Sequence, residues 1–369
     1  MRIQKLVLTD FRNYRRLSWA PEHNVTVLSG ENGSGKTNLL EAVSLLSPGR
    51  GLRGAAMNQL ARFDCAHWGV AAHIETRTGY HEVGTGNDPA GSTKRVFRLD
   101  GEPVRAHSDI ASLLACVWLT PQMDRLFSEA ASGRRRFLDR LVVALDPNHA
   151  RETAAHDRSV AQRNRLLTER PSETAWLNAV EDSIARHAVA VTASRITLIE
   201  AMNLHVDTQS DFPESTLALE CAIGDALRDH SALAVEDLIR HELAAQRKDD
   251  IARGSTGWGA HRADLKISDR ASGRDVTHSS SGQQKAMLIG IVLAHAAIIA
   301  AQRGEAPIML LDEPLVHLDE KRRGSLLEAL THIEAPIFLT GTDRAAFAGL
   351  SQRAGFLHVE EGKIHPEYF

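Results

Sequence analysis

Eight consecutive residues constrain this chain more than any others: Gly30-Glu31-Asn32-Gly33-Ser34-Gly35-Lys36-Thr37. They fit G-x-x-x-x-G-K-[ST], in which glycines let backbone N–H groups wrap a phosphate, the lysine neutralises charge and the hydroxyl ligates Mg²⁺. The β-branched run Asn24 to Ser29 precedes them as a strand. Leu39, Leu40, Val43 and Leu46 follow at helical spacing. A plain glycine turn needs no such placement, whereas a phosphate bound on a helix N-terminus does.

A second acidic motif answers the first. Ile308-Met309-Leu310-Leu311-Asp312-Glu313-Pro314 ends an apolar strand with two carboxylates, where open α/β sheets bind ligands. Asp312 is expected to hold Mg²⁺ through water, and Glu313 to orient or polarise an attacking water. Ser279-Ser280-Ser281-Gly282-Gln283 lies 29 residues before Asp312 (312 − 283) and opens the apolar helix containing Leu288, Ile291, Val292 and Ile298. A Ser/Gly run alone is most often a loop; its order and spacing give it weight.

The rest of the chain organises around these motifs. With 369 residues and 43% hydrophobic content, two or three domains with a substantial core are expected. Ile3 to Leu8 reads as a strand, and GVAAHIET and KRVFRLDG as hairpin strands flanking a mobile segment, Gly84 to Ser92. After Gly133 the pattern turns helical, with Leu138, Leu141, Val142 and Leu145 on one face and Val180, Ile184, Ala188, Val191, Leu198 and Met202 on a long one. From Arg262 strand and helix return, IFLT reading as a buried parallel strand, so the sheet domain is split around an insertion. Arg247 to Gly259, charged and glycine-containing, reads as a connecting loop.

Charge narrows the partners. A formal net charge of −4 excludes recruitment of nucleic acid by bulk positive charge. Residues 134–170, however, hold nine arginines against five acids, while 171–260 hold seven basic against fifteen acidic residues. Arg134, Arg135, Arg136, Arg158, Arg163 and Arg165 are therefore candidates for a local face that meets DNA phosphates, with a solvated helix face as the alternative. Aromatics make up only 5% and do not interleave with arginines, which favours duplex backbone contact over base stacking. Three distant cysteines argue against a disulfide framework or zinc site. No leader pattern and no stretch approaching ~18 uncharged apolar residues are read, so a cytoplasmic chain without a membrane partner is expected.

The order of the three motifs, completed by His317-Leu318-Asp319, resembles ABC-type ATPases across nearly the whole chain. Within them, LTDFRNY (8–14), GRRRFLDRL (133–141), QRNRLL (162–167), HRADL (261–265) and SSGQQK (280–285) resemble the RecF family of recombination mediators. That resemblance implies an α/β fold: an ABC/SMC-like P-loop ATPase head, a mixed sheet with flanking helices, carrying an inserted helical lobe with short coiled-coil-like helices. Its expected divisions are 1–125, 126–255 and 256–369. It further implies ATP and Mg²⁺ as cofactors, with two subunits meeting head to tail so that Ser280, Gly282 and Gln283 read the nucleotide on the other subunit's Lys36 and Asp319 fixes the interface. Gln122 falls at the Q-loop, a candidate contact to nucleotide and metal, and Arg12 is a candidate near the phosphates.

Function is implied in the same way. The family resemblance points to ATP-gated binding of double-stranded DNA at single-strand gap junctions, with RecR and RecO assisting RecA loading, in recombinational repair and replication-fork maintenance at the nucleoid. Two departures qualify it. IFLTGTD offers Thr340, Thr342 and Asp343 where transporter-type ATPases carry a switch histidine, which predicts slow, switch-like hydrolysis, and the resemblance implies a weak ATPase stimulated by DNA. Ala263 stands in HRADL where the family usually has an acid, and His261 is assigned no chemistry. The alternative is the nucleotide-binding subunit of an ABC membrane transporter, which the missing histidine and the long insertion oppose.

Overall fold

Alternation between apolar and polar residues builds the first sheet. A computed structural model describes residues 1–88, 95–205 and 211–367. In chain order the first part comprises strands β1 (Arg2–Phe11), β2 (Tyr14–Trp19) and β3 (Val25–Ser29), helix α1 (Lys36–Ser44), strands β4 (Gly69–Thr76), β5 (Gly79–Asn87), β6 (Arg95–Leu99) and β7 (Glu102–Pro103), helix α2 (His107–Leu113) and strand β8 (Cys116–Leu119). β1 buries Ile3, Leu6, Leu8 and Phe11; an irregularity in its pairing with β4 between Ile3 and Lys5 shifts the phase so that Ile3 and Leu6 both face inward. The sheet is antiparallel in the order β2-β1-β4-β5-β6-β7. The expected mobile segment is corrected in part: Gly84 to Asn87 continue β5 and pair with β6, and residues 89–92 lie outside those described.

The inserted unit comprises the described residues of 125–205 and 214–279. It contains helices α3 (Ala131–Leu145), α4 (His149–Glu169) and α5 (Thr174–Leu204), strand β9 (Ser215–Glu220), helices α6 (Ala222–Asp229), α7 (Ala232–Ala245) and α8 (Arg247–Arg253), and strand β10 (Asp264–Asp269). On α5, residues 177, 181, 184, 188, 191, 195, 198 and 202 are all buried, a 3-4 spacing that makes a seam of the coiled-coil type. Glu181 and Arg195 in that seam are charged, and both are paired: Glu181 accepts from Arg163 of α4 and Arg195 donates to Asp139 of α3.

Two expectations fail in this unit. The second division does not fall at 256: β10 pairs antiparallel with β9 over six residues, which holds the chain in the insertion up to Ser279. Nor is Arg247 to Gly259 a loop, because 247–253 form α8, anchored by the fully buried Asp250 under Arg163. Charge and glycine content hid a short helix pinned by one buried carboxylate, Asp250, while Lys248, Asp249 and Arg253 stay exposed.

The chain then returns with α9 (Ser281–Arg303), β11 (Ile308–Leu311), α10 (Glu320–Thr331), β12 (Ile337–Thr340), β13 (Ala354–Glu360) and β14 (Lys363–Glu367). The second sheet of the head runs β14-β13-β3-β12-β11-β8, parallel except for β14. β3, β8, β11 and β12 are wholly buried, as continuous apolar runs in a covered parallel sheet should be. One expectation about membranes is corrected: α9 is long and apolar enough to cross one by length and composition, and 61% of its most apolar stretch is buried inside the protein. A helix apolar all round is what a core position demands. The three cysteines are free.

Candidate nucleotide site

The phosphate-loop sequence has the backbone its glycines suggest. Gly30, Gly33 and Gly35 all adopt positive φ, at 139°, 84° and 119°. A Cβ at Gly30 would lie 2.4 Å from the Val359 carbonyl oxygen, and one at Gly35 2.4 Å from Asn13 Nδ2, so both positions admit only glycine. At Gly33 a Cβ would meet nothing, so that stretch of backbone faces open space. Asn13 Nδ2 donates to the Ser34 carbonyl at 2.9 Å, and the Tyr14 hydroxyl to the Gly35 carbonyl at 3.0 Å. Asn13 and Tyr14 of the opening motif therefore support the loop, a role that the sequence pattern alone does not disclose.

Lys36 is buried and donates to the carbonyls of Gly30 at 2.6 Å and Glu31 at 2.8 Å. Burial lowers the pKa of its ammonium, while the carboxylates of Glu313 and Asp312 oppose that shift. Glu31 and Asn32 are exposed at the loop's tip. Ser34 Oγ is buried and has no hydrogen-bond partner among the described residues. An orphaned hydroxyl, an open glycine backbone and a buried lysine on a helix N-terminus fit a phosphate chain.

Parallel register brings the second motif to the same edge. Leu311 of β11 pairs with Leu339 of β12 and Leu119 of β8, so Asp312, Thr340 and Thr120 follow at adjacent carboxyl ends. Thr37 Oγ1 donates to Asp312 Oδ1 at 2.9 Å and Oδ2 at 3.1 Å, across 275 residues of sequence. A hydroxyl beside a carboxylate is a hard-oxygen set that fits Mg²⁺ completed by water and phosphate. No group of three or more His, Cys, Asp or Glu side chains placed to hold a metal occurs among the described residues, so no all-protein cage is offered. Glu313 sits beside Asp312 at φ 49°, a left-handed conformation that costs of order 1 kcal/mol in a non-glycine residue.

The signature residues reach this edge on α9. Ser280 caps the helix in a reciprocal capping box with Gln283, and both are exposed. In the next turn, buried Lys285 donates to Asp124 at 2.8 Å, just past β8. A Cβ on Gly282 would lie 3.2 Å from the His317 carbonyl, which places the signature against the HLD segment. Asp319 is exposed and caps α10 through the Arg322 amide at 2.8 Å. Gln122 is exposed in a short 3-10 turn after β8, and Arg12 is drawn away from any phosphate into a bidentate pair with Glu41 at 2.8 Å.

The arginine candidates separate on inspection. Arg163 is completely buried and donates to Glu181, Asp250, Thr256 Oγ1 and the Leu243 carbonyl, so it cannot meet DNA and is corrected to a core residue. Its five donors on a planar fork suit a buried hub better than any other side chain. Arg134 forms a bidentate pair with Asp264 at 2.8 and 2.7 Å, and Arg135 donates to the Ala263 carbonyl. Arg136, Arg158 and Arg165 are exposed.

Comparison with known proteins agrees with this geometry. A model of the RecF/RecN/SMC N-terminal domain matches residues 2–365. The DNA replication and repair protein RecF of Allorhizobium ampelinum is 40% identical over 367 residues, 98% of each chain. That of Mesorhizobium japonicum is 41% identical over 370 residues, covering 99% of this chain and 97% of its own. The chain belongs to the RecF family. A solved structure of the recombination mediator protein RecF with ATP is similar at TM-score 0.84 and 23% identity, covering 99% of this chain and 97% of that one. An Smc head domain from Pyrococcus furiosus is similar at TM-score 0.52 and 14% identity, covering 100% and 96%. The fold is thus the RecF and SMC head fold, an α/β ATPase architecture with an inserted lobe. With RecF membership established, the transporter-subunit alternative falls.

Proposed function

We propose that this chain is an ATP-dependent DNA-binding protein of recombinational repair and replication-fork maintenance, in which ATP joins two copies head to tail on double-stranded DNA at a gap junction. Lys36 and the loop amides take the phosphates, Thr37 and Asp312 take Mg²⁺, and Glu313 accepts a proton from the attacking water. Hydrolysis is slow and releases the pair, since removal of the terminal phosphate removes what the second chain reads. RecR, RecO and RecA are the partners in this reading, and the nucleoid its place of action. The relatives' name, DNA replication and repair protein RecF, supports the DNA part. Exposed Arg136, Arg158 and Arg165 remain the candidate phosphate contacts.

One observation carries the dimer. Ser280 and Gln283 are exposed on the edge that also bears Lys36, yet among the described residues neither bonds to the phosphate loop of its own chain. The first turn of α9 lies against the His317 carbonyl, where a Cβ on Gly282 would come within 3.2 Å, rather than against the phosphate loop. A signature so held suits a nucleotide on another copy. Sedimentation with and without ATP and gapped duplex tests this. Wild type is expected to dimerise with ATP, while Lys36→Arg and Ser280→Arg do not; unchanged dimerisation and DNA retention in both variants overturns the proposal.

A further inference from the structure

Thr340 stands where the sequence departs from transporter-type ATPases, and its hydroxyl bonds to both acidic residues of the second motif. It donates to Asp312 Oδ1 at 2.7 Å and accepts from the Glu313 amide at 2.9 Å. The residue is fully buried, and its strand is held on both sides: Leu339 pairs with Leu311 of β11, Thr340 pairs with Leu28 of β3, and the Gly341 amide donates to the Leu28 carbonyl at 3.1 Å. A Cβ on Gly341 would lie 2.5 Å from the Phe347 ring, which keeps the chain beyond Thr340 on one path. A single hydroxyl on an immobile strand end thereby uses its proton on one acidic residue and its lone pair on the backbone of the next.

We infer that Thr340 is a positioning residue that sets the side-chain orientation of Asp312 and the left-handed backbone of Glu313 together. The inference rests on the ATPase reading above. Asp312 Oδ1 receives two O–H donors, from Thr37 and Thr340, while Oδ2 receives only the longer bond from Thr37. Were Thr37 to turn its oxygen to a bound cation, the Thr340 bond would still hold the Asp312 carboxylate in place. At Glu313, φ 49° is unfavourable for a residue with a Cβ. The hydrogen bond that the Glu313 amide donates to Thr340 Oγ1 holds that conformation and so aims the Glu313 side chain. Partners of metal-side carboxylates change metal affinity or activity by about 10–100-fold when removed.

The test compares wild type with Thr340→Val and Thr340→Ser. Each is assayed for fluorescent-ATP affinity in EDTA, for the Mg²⁺ concentration that gives half-maximal tightening of that affinity, and for single-turnover hydrolysis. Thr340→Val is expected to bind ATP normally in EDTA, to need about tenfold more Mg²⁺, and to hydrolyse at least tenfold more slowly; Thr340→Ser keeps both bonds and stays near wild type. An unchanged Mg²⁺ requirement in Thr340→Val, or a serine variant as impaired as valine, overturns the inference. Should valine unfold the head, Thr340→Ala in the same assays decides by the same criteria. Wild type that binds no ATP overturns the functional reading itself, which is distinguishable from a Thr340 failure.

Discussion

Replacing Arg163 with methionine separates two roles that its neighbourhood in the sequence confuses. The substitution keeps much of the apolar length but leaves Glu181 and Asp250, 2% and 0% exposed as side chains, without their shared cation. Breaking a buried pair from one side costs about 3–5 kcal/mol. Each carboxylate keeps a second partner: Glu181 retains Arg247, and Asp250 retains Arg253 at 3.0 Å and the Gly257 amide at 2.8 Å. The lower end, about 3 kcal/mol, is therefore the expected loss. In a unit of about 150 residues each kcal/mol moves the midpoint by roughly 2–4 °C, so the lobe transition should fall by about 6–12 °C in calorimetry. DNA binding supplies the opposing measurement. Since Arg163 has no solvent exposure, the slope of log affinity for duplex DNA against log salt should not change. Arg158→Ala and Arg165→Ala should each lower that slope by about 0.9. A lowered slope in Arg163→Met with an unchanged midpoint would refute the assignment of this residue to the core.

Other outcomes follow from the same contacts. Gly35→Ala should abolish ATP binding in a filter or fluorescence assay while the protein stays folded, because its Cβ would meet Asn13 at 2.4 Å and its φ is 119°. Glu313→Gln should retain ATP-dependent dimers in sedimentation but lose at least a hundredfold in hydrolysis, as removal of a general base does; full activity removes Glu313 from that role. Burial pushes the His261 pKa down to about 4, reinforced by His156, Arg262 and Arg135 and opposed by the Thr256 carbonyl. The folded lobe therefore favours the neutral ring, and its stability is complete above the unfolded value near 6.5 and lost as pH falls from there towards 4. Calorimetry across that range should show the decline, flattened in His261→Phe; parallel curves for the two proteins would contradict it.

The nucleotide loop was legible because its chemistry is local: eight neighbouring residues carry the turn, the lysine and the hydroxyl, and they fold between a strand and a helix as their spacing requires. Asp312 was legible for a similar reason, being the first polar residue after a buried strand. Thr340 was read only as the lack of a histidine, since its partners lie 28 and 27 residues away and are set by parallel register rather than by spacing. Arg163 and Asp250 were misread because charge counts treat every ionised side chain as solvated, whereas these two are partners across 87 residues. The boundary at Ser279 escaped because β10 completes a sheet with β9, and a lone strand pattern does not disclose which sheet it joins.

The phosphate loop begins at residue 30, but its enclosure is finished by residues more than 320 positions away, in the segment from Ala354 to Glu367. Val359 presses its carbonyl against Gly30, the Gly362 amide donates to the Ser34 carbonyl at 3.4 Å, and Ser29 Oγ donates to the Leu357 carbonyl and to Glu367 across 328 and 338 residues. Contacts of such separation form late, because the loop between them must close first. Until these contacts form, the glycine loop lacks the wall that shapes it. Nucleotide capture is therefore expected to depend on the segment from Ala354 to Glu367 as much as on the loop that it encloses.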